Sequence, residues 1–112
     1  MENLSILQIK KMINHASYVW EENHGIMIKF LPTGQLMIYG KDPKQPYRYN
    51  YTIYNKVGKT SAENKVIMNT SPHIMNTPGD MELLVMKNHI TLTSIANPSE
   101  ICHFSRLNLK SY

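Results

Sequence analysis

From about residue 17 to residue 107 the apolar residues recur at every second position, in short runs broken by turn residues at regular spacing. That period puts alternate side chains on opposite faces of a strand, so it commits the chain to a sheet with one buried face. Tyr18 and Trp20 alternate, and Asn23-His24-Gly25 follows as a turn. Ile26, Ile28 and Phe30 share one face, and Pro32-Thr33-Gly34 turns the chain again, with glycine supplying positive φ. Leu36 to Tyr39 is the next run, then a loop at Gly40-Lys41-Asp42-Pro43. Tyr47, Tyr49, Tyr51 and Ile53 line one face of the clearest strand, with Arg48, Asn50, Thr52 and Tyr54 on the other. Asn55 to Asn64 reads as a loop, Val66 to Met68 as a short strand, and Asn69 to Asp80, with Pro72, Pro78 and Gly79, as a long connection. Met81–Met86 and His89–Ile95 form a tight hairpin, and Glu100 to Leu107 is the last strand.

Only the N-terminus departs from this period. Leu4, Ile6, Leu7, Ile9, Met12 and Ile13 form a helical stripe over about residues 4–14, and Ser5 with Gln8 fits a capping box. The expected fold is therefore all-β with one short N-terminal helix: an antiparallel meander, closed into a barrel or folded as a sandwich. A length of 112 residues suits a single domain over 1–112, with a frayed tail at 108–112. Clipped strands could leave an edge that a homodimer would cover.

The layout resembles the small lipocalin-like domains of the calycin group. The resemblance rests on the helix leading to Trp20, the strand ending at Phe30 before Pro32-Thr33-Gly34, and Tyr47-Arg48-Tyr49-Asn50-Tyr51. It continues through the hairpin over Leu83 and Leu92 to His103-Phe104-Ser105-Arg106. The glycine usual two residues before the tryptophan is replaced by Tyr18. The resemblance implies an up-and-down barrel whose apolar interior holds a small ligand, with Trp20 and Arg106 in cation–π contact across its floor.

Charge and motifs narrow the function classes. The net charge of +4 is concentrated between Lys41 and Lys65. A basic window beside a tyrosine-rich strand is the pattern of single-strand nucleic-acid binders, with Lys41, Lys44, Tyr47 and Arg48 as candidates. The opposing reading buries the tyrosines in the core. The single cysteine, Cys102, allows no intrachain disulfide, and with no secretory signal it points to a cytoplasmic protein. Cys102 and His103 are neighbours on a strand and should face opposite ways. The five histidines lack metal-site spacing, and His24 and His89 read as solvated turn residues. Glu21 and Glu22 converge on nothing visible in the sequence. No nucleotide-binding, hydrolase or metalloprotease motif is present, so neither a catalytic residue nor a cofactor is assigned. The expectation is a non-enzymatic binding module that holds a small apolar ligand through Trp20, Phe30, Tyr49, Tyr51 and Leu92, or presents a face to a protein partner. Nucleic-acid binding is the alternative.

Overall fold

The computed structural model describes residues 5–40, 46–57 and 64–107. Helix α1 spans Ile6–Ile13, and eight strands follow: β1 Ser17–Trp20, β2 Met27–Phe30, β3 Gln35–Tyr39, β4 Tyr47–Val57, β5 Lys65–Ser71, β6 Met81–Met86, β7 His89–Ser94 and β8 Ile101–Arg106. Each strand pairs antiparallel with the next, and β1 pairs with β8, so the meander is a closed barrel rather than a sandwich. Closure pairs both outer strands and removes the open edge on which the homodimer expectation rested. Among the described residues, no helix is long and apolar enough to cross a membrane.

The alternation read from the sequence is the alternation of burial. Val66, Met68 and Thr70 on β5, Met81, Leu83 and Val85 on β6, and Ile90, Leu92 and Ser94 on β7 are all buried, and the residues between them are not. Two strands run longer than their patterns predicted. β4 continues to Val57 and β5 to Ser71, through residues expected to be loop. In β5 the alternation of burial carries on through these polar residues, with Thr70 buried between the less buried Asn69 and Ser71, so ladder pairing rather than hydropathy sets the conformation there. A register shift between Tyr54 and Lys56 interrupts the β4–β5 ladder, past the residues of β4 that pair with β3.

α1 is built as its sequence predicts. Ser5 caps it, with Gln8 reaching back to the Ser5 N–H at 2.8 Å. Its buried face, Ile9 and Ile13, closes one end of the barrel against Tyr18, Phe30, Leu36 and Ile53. His15, at φ 60°, turns the chain out of the helix, and its N–H donates to Phe30 O. Gly34, at φ 81°, makes the β2–β3 turn and accepts from Tyr51 N.

Arg106 corrects one expectation. Its register partner is Tyr18, while Trp20 faces Phe104. The guanidinium donates to Met12 O at 3.3 Å, near the carbonyl end of α1, where a positive charge is favoured. The Trp20–Arg106 contact is thus replaced by a Trp20–Phe104 stack, with ring centroids 6.2 Å apart and planes at 27°. Two residues of register along β1 separate the two arrangements.

Candidate functional site

The end of the barrel opposite α1 is not filled. There the inward side chains of Trp20 on β1, Ile28 on β2, Ile38 on β3, Tyr49 on β4, Leu92 on β7, and Cys102 and Phe104 on β8 surround a cavity of about 210 Å3, joined by Ile26 from the β1–β2 turn. It lies within the range between a cavity of about 150 Å3 that admits benzene and the roughly 300 Å3 of the smallest drug-sized clefts. Its roof is the connection from Pro72 to Asp80, which lays Ile74 and Met75 across the mouth. Met75 is only 5% exposed, so this connection is part of the core.

The strap is fastened by two carboxylates, Glu100 along its length and Asp80 at its end. Glu100, just before β8, accepts from Asn76 N at 2.7 Å and Thr77 N at 3.0 Å. Hydrogen bonding from the Thr77 side chain and these two backbone donors outweighs the cost of desolvation and holds the Glu100 carboxyl below its ordinary pKa. At the end of the strap, Asp80 accepts from Asn69 Nδ2 at 2.9 Å, and its hydrogen bond with Tyr54 is the main cause of a raised Tyr54 pKa.

Two features of the cavity wall are chemical rather than steric. Trp20 Nε1 is buried and has no hydrogen-bond partner in the protein. The Cys102 thiol lines the cavity, and burial pushes its pKa up, aided by the charges of Glu22 and Glu100. His103 points the other way, onto the outer wall, so the adjacent thiol and imidazole form no pair.

A second cluster lies on that outer wall, across the seam where the barrel closes. Glu22 Oε1 accepts from the His103 backbone N–H at 2.8 Å and lies 3.1 Å from its Nδ1. Glu21 Oε2 lies 2.5 Å from His89 Nε2, and the two imidazole centroids are 5.9 Å apart. Each glutamate thus pairs with a different histidine, and His89 begins β7 rather than sitting free in a turn. Burial alone would raise the Glu22 pKa, but the hydrogen bonds and charge of His103 outweigh it and lower the value. Among the described residues, no group of three or more His, Cys, Asp or Glu is arranged to hold a metal ion.

Of the residues expected to line a pocket, the structure brings Trp20, Tyr49 and Leu92 together at the cavity. Phe30 and Tyr51 lie at the α1 end, where Phe30 is fully buried and the Tyr51 hydroxyl donates to Leu31 O at 3.1 Å. Sequence reasoning missed Ile26, Ile28, Ile38, Cys102 and Phe104, although Ile26 and Ile28 share a strand face with Phe30, which it did expect at a pocket. It also missed Ile74 and Met75, whose only signal is two apolar residues in a polar connection. The tyrosine strand divides: Tyr49 and Tyr51 pack against the core, Tyr47 is 68% exposed, and Arg48 lies exposed on the other face. The three rings form no shared open platform for stacked bases. Lys41 and Lys44 lie outside the described residues.

A larger groove, about 360 Å3, runs outside the barrel between α1 and β4. Lys10, Lys11, Asn14 and Thr52 give it polar walls beside Leu7, Pro32 and Ile53, so its lining is mixed where that of the mouth is mainly apolar. The fold and the site together define a closed eight-stranded antiparallel barrel with one end plugged by a helix and an apolar cavity under a strap at the other. Compared with known proteins, the chain matches no family model, no curated protein and no solved structure.

Proposed function

We propose that this chain is a non-enzymatic, lipocalin-like binding module that takes a small apolar molecule into the cavity at the barrel mouth. The observation that carries the reading is the cavity itself: its wall is made of aromatic and aliphatic side chains plus one thiol, inside a barrel otherwise packed to its plug. Removing a ligand's apolar surface from water into such a wall supplies the driving force. The strap adds a way in, because two carboxylates and two apolar side chains hold it in place. Among the described residues, no acid–base pair or activated nucleophile faces the cavity, and Cys102 is held toward its unreactive thiol form.

Trp20 is the only tryptophan, so its fluorescence reports on the cavity wall directly. Titration with a panel of one- and two-ring aromatic and short-chain aliphatic compounds should give saturable changes in emission for several of them. No saturable change with any member of the panel would overturn the proposal.

A further inference from the structure

A second space lies along the strap. It is a groove of about 280 Å3 that shares Trp20, Ile74, Met75 and Cys102 with the cavity, so the two spaces abut against the same four side chains. What the groove adds is polar: Asn76, Ser99 and Glu100. Glu100 sits at the strap's edge, where its two oxygens accept from the Asn76 and Thr77 amides. It is only partly buried, and a carboxylate oxygen carries two acceptor sites, so each oxygen can take a further donor.

The charge of Glu100 is also unanswered. Hydrogen bonding from the Thr77 side chain and the two strap amides holds its carboxyl below the ordinary pKa, so it is ionised at neutral pH. Among the described residues it forms no ion pair, whereas Glu22 pairs with His103. No lysine, arginine or histidine among those residues lines the cavity or the groove. The field reaches the shared wall: burial is the first cause of the raised Cys102 pKa, and the charges of Glu22 and Glu100 add to it.

Resting on the binding-module reading above, we infer that the ligand is a small amphiphilic amine, with its apolar ring or chain in the cavity and its ammonium in the groove against Glu100. Apolar burial supplies most of the affinity. The charge-assisted bond between ammonium and carboxylate supplies the selectivity. A carboxylate of the same shape would face Glu100 with like charge.

Three probes of nearly equal shape separate these contributions: phenethylamine, phenethyl alcohol and phenylacetate. Trp20 lines both spaces, so its emission follows all three. At neutral pH and low salt the amine should bind about fivefold tighter than the alcohol, on the scale of a partly exposed ion pair, and phenylacetate should be weakest. Added salt should erode the advantage of the amine and leave the alcohol unchanged. Glu100→Gln should bring the amine down to the level of the alcohol. The readout is the ratio of the two affinities, since a loosened strap changes both alike. If the alcohol binds as tightly as the amine, or if the ratio survives Glu100→Gln or high salt, the inference fails while the binding module stands. Phenylacetate binding tightest would overturn it equally. If neither these probes nor the panel above gives a saturable change, the binding-module reading falls with it. The salt dependence is read on the unmodified chain, so the test holds even if the variant folds poorly.

Discussion

At the α1 end of the barrel, Phe30 stands edge-on to two tyrosines, Tyr18 at 6.0 Å and Tyr51 at 5.3 Å, with Ile9 and Ile13 sealing the space above them. At the strap end, Trp20 stacks on Phe104 and a cavity of about 210 Å3 remains beside the pair. The same kinds of side chain, in the same alternation, give a filled end and a hollow one. The difference lies in the cover. α1 is a hydrogen-bonded element that presents two fully buried isoleucines and is tied to the barrel through Arg106 and His15. The strap is irregular, places Ile74 and Met75 over the mouth, and is fastened by Glu100 along its length and by Asp80 at its end. Stability is therefore expected to reside at the plugged end and binding capacity at the strap end.

The largest effect that sharpens this contrast is the loss of Phe30. Phe30→Ala removes a ring with no exposed surface and should cost about 3–5 kcal/mol in urea unfolding. Ile74→Ala, in the half-buried roof of the cavity, should cost less than about 1.5 kcal/mol, since only part of its side chain leaves water on folding. Equal losses at the two sites would break the comparison. Adding bulk should discriminate in the same direction. Ala16→Leu pushes three carbons into packed core beside the plug and should destabilise by about 1–3 kcal/mol. Cys102→Leu grows into existing space, so its unfolding free energy should stay within about 1 kcal/mol of the parent while ligand titration goes flat. A Cys102→Leu variant that still binds would place the ligand elsewhere.

The two ends also differ in how far the sequence revealed them. The plugged end was legible: the capping box, the helical stripe, the glycine of the β2–β3 turn and the inward Phe30 all follow from local rules, and the structure has each of them. The meander of strands was legible for the same reason, because alternation is a local signal. That β1 meets β8 was not, since closure depends on summed twist and register across all eight strands rather than on any one of them. The cavity was half legible. Trp20, Tyr49 and Leu92 were expected to line a pocket, but the sequence left open whether the tyrosine stripe faces in or out, and nothing in it distinguishes these residues from Phe30 or Tyr51, which lie one layer away in the packed end. Whether an inward residue meets a neighbour or a void is decided by what covers the barrel end. The strap's cover depends on Glu100 bonding to a backbone more than twenty residues distant. The seam cluster was hidden by a longer separation still, with His89 68 residues from Glu21 and His103 81 residues from Glu22.

Glu100 and Glu22 supply the finest test, because both carboxylates are held below their ordinary pKa but fasten different parts of the barrel. A carboxyl whose folded pKa is depressed stabilises the folded form above its unfolded value and loses that contribution as pH falls through its folded value. For both groups the loss therefore falls in acid, below the ordinary glutamate value of 4.5. Glu22 is exposed and Glu100 only partly buried, so solvent screens both and global stability should change little across this range. The effect should be local, visible as faster amide hydrogen exchange. Protonating Glu100 should expose the Asn76 and Thr77 amides, and Glu100→Gln should reproduce that exposure at neutral pH while sparing the His103 amide. Glu22→Gln should do the reverse, and by less, because the seam is also held by ladder pairs from Tyr18 to Trp20 and by the Glu21–His103 and Leu107–Ser17 backbone bonds. If Glu100→Gln leaves the strap amides protected, then the burial of Ile74 and Met75, with the Asp80 bonds at the strap's end, holds the roof without Glu100. The strap end would then resemble the plugged end in how it is secured, and the hollow would be a packing defect under a fixed cover rather than a cavity with a door.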